Sequence, residues 1–234
     1  MQQPMTPPEP EPQNPYTAPH VATSALVTID VQRDFLSEAP YGVPGTTEIL
    51  PALRRTVSAF RAAGRPVVHV VRLYEEGGGN ADLVRRQLLE SGVRIAAPGT
   101  PGSEPAGGIV PEGAPALDAK LLLSGRPQRL GPHDYVVFKP RWGAFYHTCL
   151  EELLRELGVD TLVFAGCNLP NCPRASIIQA SERDFRVALV RDAVSRVTDS
   201  ALTELAGIGV AILDTEALEG LLAGSAASGR LTTR

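Results

Sequence analysis

Thr161-Leu162-Val163-Phe164-Ala165-Gly166-Cys167-Asn168-Leu169-Pro170-Asn171-Cys172-Pro173 is the stretch on which the fold turns. Its first residues, 161–165, form a continuous apolar run, the pattern of a strand buried on both faces rather than one. The run stops at Gly166 and passes through a turn. A helical pattern then begins at Pro173 and continues to about Arg183. Proline suits the first helical position because the N–H it lacks has no partner there anyway.

The same alternation recurs on both sides. Strand-like runs occupy residues 25–29, 66–71, 135–138, 187–190 and 210–213. Between them lie helical patterns at 50–63, 150–157 and 201–206. Leu50, Leu53, Val57 and Phe60 share one face of the first, which Gly64 stops; Gly158 stops the second. Doubly buried strands separated by helices predict an α/β fold: three α/β/α layers around a mostly parallel, six-stranded sheet, in the Rossmann-like order 3-2-1-4-5-6.

The expected domain spans residues 23–221. Residues 1–22 hold seven prolines and few aliphatic side chains, so they read as a disordered, Pro-rich tail. Residues 222–234 read as a second tail. The span from about 77 to 132 has one helix-like piece, 81–89, within a Gly- and Pro-rich stretch. Its length predicts a lid-like insertion.

Composition narrows the function. With 22 Lys and Arg against 26 Asp and Glu, the formal charge is −4. That gives no electrostatic footprint for nucleic acid or an anionic membrane surface. No apolar run approaches the roughly 18 residues of a membrane span, and no secretory pattern opens the chain. Three cysteines make no disulfide framework. The expectation is a soluble, cytoplasmic protein with a small-molecule partner.

In open α/β sheets ligands bind beyond the carboxyl ends of the strands. Asp30, Lys139 and Cys172 all fall at or just past such ends. In the expected strand order Asp30 and Cys172 face one crevice, and Lys139 starts two strand spacings away, about 10 Å. Cys172 opens a helix, where positive potential tends to lower a thiol pKa and favour the thiolate. Unpaired N–H groups in the same turn are suited to a developing oxyanion.

Four ordered motifs resemble the isochorismatase-like cysteine hydrolases, a group with nicotinamidases, carbamoylsarcosine amidohydrolases, ureidoacrylate hydrolases and streptothricin hydrolase. They are Val27-Thr28-Ile29-Asp30-Val31-Gln32-Arg33-Asp34-Phe35, Phe138-Lys139-Pro140-Arg141-Trp142-Gly143-Ala144-Phe145, the stretch 164–172, and Val190-Arg191-Asp192-Ala193. The resemblance covers about residues 24–214. It implies a catalytic triad of Asp30, Lys139 and Cys172. It also implies a cis peptide at Cys167–Asn168, and an oxyanion hole from the N–H groups of Asn168 and Cys172. Family members form dimers and tetramers, so a homodimer or homotetramer is expected.

Two departures stand out. Leu169-Pro170-Asn171-Cys172-Pro173 replaces the family's usual Thr-Asn/Asp-x-Cys-Val. Where the metal-binding branch carries Asp-x-His and a further His, Phe35, Leu36 and Ser37 offer no ligand. His69 reads as a strand packing residue, so neither a metal nor another cofactor is expected. Phe35, Tyr74, Trp142, Phe145 and Asn171 are candidate substrate-binding residues by position.

The expected reaction is hydrolysis of a C–N bond in a small amide, lactam, imide or ureide through a thioester on Cys172. Three alternatives compete. A vinyl ether hydrolase of the isochorismatase type would lack the cysteine. A thiol sensor would pair Cys167 with Cys172, whose Cys-x4-Cys spacing is not that of disulfide oxidoreductases. The third is a catalytically silent binding protein.

Overall fold

The computed structural model describes residues 14–229. The apolar runs form a seven-stranded sheet in the order β3-β4-β2-β1-β5-β6-β7. Its strands are β1 (Ser24–Ile29), β2 (Val67–Val71), β3 (Gln128–Arg129), β4 (Asp134–Phe138), β5 (Thr161–Gly166), β6 (Arg186–Val194) and β7 (Ala211–Leu213). All neighbouring pairs are parallel except the antiparallel β3–β4 edge.

The predicted strands therefore stand, in the predicted relative order. The sheet gains a seventh strand, and this corrects the six-stranded expectation. Gln128 and Arg129 are too short a pair to show a period, and it is pairing with Val136 and Tyr135 that makes them a strand. Strand β6 also runs beyond 190 to Val194, and a register irregularity between Phe164 and Gly166 accommodates the extension.

The helices are α1 (Leu50–Ala62), α2 (Leu83–Glu90), α3 (Ala119–Leu123), α4 (Leu150–Glu156), α5 (Cys172–Ser181), α6 (Asp199–Gly207) and α7 (Thr215–Gly229). On one face of the sheet, α1 presents Leu50, Leu53, Val57 and Phe60, and α7 adds Leu218 and Leu222 to the same cluster. On the other face α4, α5 and α6 contribute Leu150, Leu154, Ile177 and Leu205. This is the expected three-layer α/β/α arrangement.

At the chain ends the boundaries move outward. Residues 1–13 of the expected Pro-rich tail lie outside the described residues. Residues 14–22 instead pack on the domain: the His20 N–H donates to Thr161 Oγ1 at 3.0 Å, and the His20 ring meets Asp160 at 2.7 Å. The expected tail from 222 is corrected as far as Gly229, because α7 continues there and buries Leu222.

The Gly- and Pro-rich insertion is a packed wall rather than a bare loop. Ile95, Ala96, Ala106, Ile109, Leu117 and Leu122 are buried. Gln32, fully buried, donates from Nε2 to the carbonyls of Arg72 and Ser103 at 2.8 and 2.7 Å. Asp34 Oδ2 accepts from the Ala96 N–H at 2.7 Å. These bonds tie the insertion to the turn after β1, at the sheet's carboxyl edge.

Candidate active site

Parallel register sets the site. Ile29 pairs with Val70 and with Gly166, and Val71 pairs with Phe138. The next residue along each chain is therefore Asp30 after β1, Arg72 after Val71, Lys139 after Phe138 and Cys167 after Gly166. Four polar or nucleophilic side chains stand side by side along one edge of the sheet, in the order Lys139, Arg72, Asp30, Cys167.

Local backbone makes this possible. Asp30 leaves β1 with φ 52°, a left-handed conformation that Asp tolerates better than most residues. Gly166 has φ 114°, and a Cβ there would run into the carbonyl oxygen of Ile29. Only glycine lets β5 approach β1 this closely. The Cys167–Asn168 peptide bond that follows is cis.

Lys139 is wholly buried, and its Nζ donates to Asp30 Oδ2 at 2.8 Å and to the Arg141 carbonyl at 3.3 Å. The predicted reach of this lysine across two strands is thus made. Asp30 Oδ1 is buried and accepts no hydrogen bond from the described residues. Cys172 opens α5 beside it, and Asp30 and Cys172 line one cleft of about 430 Å³.

The thiol's electrostatics correct the sequence-based expectation. Burial, and then the Asp30 charge, push the Cys172 thiol up to about 12, against the opposing pull of Lys139 and Arg72. In the free protein the thiol therefore holds its proton. Burial and a neighbouring carboxylate both penalise the anionic form of a thiol. Backbone donors are nonetheless available: among the described residues the N–H groups of Asn168 and Cys172 meet no acceptor.

Of the predicted binding residues, Phe35, Tyr74, Trp142 and Asn171 line the cleft, and Asn168 does as well. Phe145 does not, which corrects its assignment. It is buried in the core, 5.9 Å from the Phe185 ring, because residues 144–145 are drawn inward by bonds to Ser176 and Gln179. The sequence reading missed Val43, Arg72, Val84, Arg85, Leu88 and Cys167 on the cleft wall. Of these only Arg72 carried a usable signal, since it follows a buried strand just as Asp30 and Lys139 do.

His69 lies inside β2, bonded to Thr28 Oγ1 at 2.8 Å and facing Asp134 at 3.4 Å. Among the described residues no group of three or more His, Cys, Asp or Glu side chains gathers as metal ligands would. No described helix is long and apolar enough to cross a membrane.

Comparison with known proteins places this geometry. Residues 24–217 match the isochorismatase domain family. The chain is 31% identical over 195 residues to an Arabidopsis thaliana protein described as a probable inactive nicotinamidase, covering 80% of this chain and 90% of that one. It is 28% identical over 200 residues to the ureidoacrylate amidohydrolase of Methylobacterium radiotolerans, covering 77% and 70% of the two chains. Among solved structures, an isochorismatase family protein from Desulfovibrio vulgaris superposes with a TM-score of 0.73 at 32% identity, covering 86% and 98%.

Proposed function

The chain belongs to the isochorismatase family, and on that premise we propose that it is a cysteine hydrolase of C–N bonds in small, non-peptide amides or ureides. The observation that carries this reading is the contact of Lys139 Nζ with Asp30 Oδ2 at 2.8 Å, which leaves Oδ1 free beside the Cys172 thiol. An acid–base residue, a compensating cation and a nucleophile are then assembled around one cleft. The relative from Methylobacterium radiotolerans, a ureidoacrylate amidohydrolase, agrees with a C–N bond as the target.

The chemistry follows from the protonated thiol. Asp30 accepts the Cys172 proton as the sulfur attacks the substrate carbonyl, so a free thiolate never accumulates in a site that disfavours it. The carbonyl oxygen takes the electron pair and is held by the Asn168 and Cys172 N–H groups. As the tetrahedral adduct collapses, Asp30 returns the proton to the departing nitrogen. The amine leaves, and a thioester remains on Cys172. Water then attacks the thioester, giving its proton to Asp30, and the acid departs with the thiol restored. Lys139 Nζ, donating to Oδ2, orients Asp30 and sets a compensating group beside it in the buried site.

The test is ammonia or amine release from a panel of small amides and ureides by the wild-type protein, Cys172→Ala and Asp30→Asn. Acid quench followed by intact mass measurement reads the thioester. Turnover in the wild type alone, with an acyl mass on Cys172, is the expected result. Undiminished turnover in Cys172→Ala would overturn the reading.

A further inference from the structure

The cleft that holds Asp30 and Cys172 changes character from floor to mouth. Its floor is polar and buried, with Asp30, Asn168 and Cys172 all at or below 9% exposed. Two apolar side chains on the same cleft stand in the open instead, Val84 at 73% and Trp142 at 43% exposed. Leu88, half-buried, follows Val84 by one turn of α2 and also lines the cleft, so the two make a continuous apolar strip. Apolar side chains scattered singly over a surface need no explanation. These three instead converge on the cavity that holds the nucleophile.

The two segments that carry them are fixed in place. Asp82, the residue before α2, accepts from the buried Arg72 at 2.6 Å. Asn80 is held through its side chain by the Glu75 N–H at 3.1 Å and the Leu73 carbonyl at 2.7 Å. Arg141, next to Trp142, donates to the Asn80 carbonyl at 2.9 Å. The loop bearing Trp142 is therefore tied to the approach to the helix bearing Val84 and Leu88. The apolar mouth is preformed, and little is left to order when a ligand covers it.

Size and reaction geometry say what fits. The cleft encloses about 430 Å³, within the range of sites that take drug-sized ligands and more than an amide with one or two carbons fills. Asp30 has to protonate the departing nitrogen, so that nitrogen faces the buried floor. The acyl substituent is the part of the substrate left to reach the mouth. We propose that the cleft takes a primary amide with an extended, unbranched aliphatic acyl chain, laid against Val84, Leu88 and Trp142, with ammonia as the leaving group. This substrate class rests on the hydrolase reading, but the chain subsite is measurable without turnover.

Trp142 is the single tryptophan of the chain, so its emission reads the mouth directly. The experiment titrates Cys172→Ala with butanamide, hexanamide and octanamide, and with benzamide as a compact amide. A chain that covers the half-exposed indole is expected to move its emission to shorter wavelength, saturably, with affinity rising about two- to fourfold per methylene. Benzamide is expected to bind several-fold more weakly than octanamide. In Cys172→Ala carrying Val84→Ser, a change at an exposed position, the gain per methylene should fall to half or less. Leu83→Ser, at a 79% exposed position of the same helix that does not line the cleft, should keep it. Affinity independent of chain length, benzamide matching octanamide, an undiminished gain in Val84→Ser, an equal loss in Leu83→Ser, or no saturable shift with any of these amides overturns the proposal. Ammonia release by the wild type is scored separately. Chain-dependent binding without turnover would fault the hydrolase reading and leave the subsite standing, whereas turnover of other amides with no chain dependence in binding would sink the subsite alone.

Discussion

Lys139 Nζ sits 2.8 Å from Asp30 Oδ2, and the two residues come from strands separated by β2. The ammonium crosses the end of a neighbouring strand to reach its partner, with Lys139 wholly buried and Asp30 showing only a sliver of its side chain to the cleft. A buried pair of this kind is a poor source of net stability. Its place at the carboxyl edge of the sheet, next to Cys172, is better explained by the charge it holds ready than by the fold it supports.

Removing one partner should therefore cost more than removing both. Lys139→Met strands the Asp30 carboxylate and is expected to lose about 3–5 kcal/mol. Asp30→Asn together with Lys139→Met should recover a substantial part of that loss while remaining inactive. Urea denaturation of the three proteins reads the difference. An additive double variant would show that the pair is not coupled.

The raised Cys172 thiol makes a prediction whose sign is opposite to that of an activated thiolate. With its pKa pushed up to about 12, mostly by burial and then by Asp30, little thiolate exists near neutral pH. Iodoacetamide should label Cys172 slowly up to pH 9. Asp30→Asn removes one of the charges that raises the thiol, so labelling at pH 8–9 should become faster than in the wild type. Peptide-resolved mass spectrometry measures both rates, and a slower variant would refute the electrostatic account. The linkage runs the same way: an unfolded chain loses this thiol proton near pH 8.5, the folded chain only near 12. Across that window stability falls as pH rises.

Gly166 sets how closely the two halves of the site approach. Its φ of 114° and the Ile29 carbonyl in the path of any Cβ leave no room for alanine. Gly166→Ala is expected to lose at least about 2 kcal/mol and to separate Asp30 from Cys172. Thermal unfolding and Cys172 labelling are the measurements. A wild-type melting temperature would mean that β1 and β5 can part at no cost.

Much of this was legible in the chain because one rule applied repeatedly: a buried apolar run followed by a polar residue. That rule found Asp30 and Lys139, and the helix after β5 found Cys172. It applied equally to Arg72, which passed unnoticed because an arginine after a strand is ordinarily solvated, and only the structure shows its donors buried. Strand β3 was hidden because two residues carry no period. Phe145 was misplaced because position in a motif does not report which way a ring turns; hydrogen bonds from Ala144 and Phe145 N–H to α5 decide that. The glycines at 220, 224 and 229 disguised α7, whose helix is held by Leu218 and Leu222 packing on the α1 face rather than by propensity.

Away from the cleft, Asp134 gives the acid limb of stability a specific origin. Burial alone would raise its carboxyl. Hydrogen bonds from His69 and Arg61, with the Arg61 charge, instead hold it below the ordinary range. Arg61 meets it through Nη2 at 2.6 Å and Nε at 3.0 Å, and the same guanidinium donates to the Ile109 carbonyl at 2.6 Å, pinning the insertion. His69 behind it is lowered, chiefly by burial, and stays neutral. The signs then order the losses. A histidine with a lowered folded pKa costs stability once pH drops below about 6.5, where only the unfolded chain takes the proton. A carboxylate with a lowered folded pKa gives stability above about 3.9 that disappears as pH falls through its folded value. Urea unfolding at pH 7.5, 5.5 and 3.5 should show decline at both steps. Asp134→Asn should be less stable at pH 7.5, since Arg61 loses its ionic partner, yet its loss between pH 5.5 and 3.5 should be smaller than that of the wild type. Parallel profiles for the two proteins over that lower interval would show that the acid sensitivity lies elsewhere in the chain.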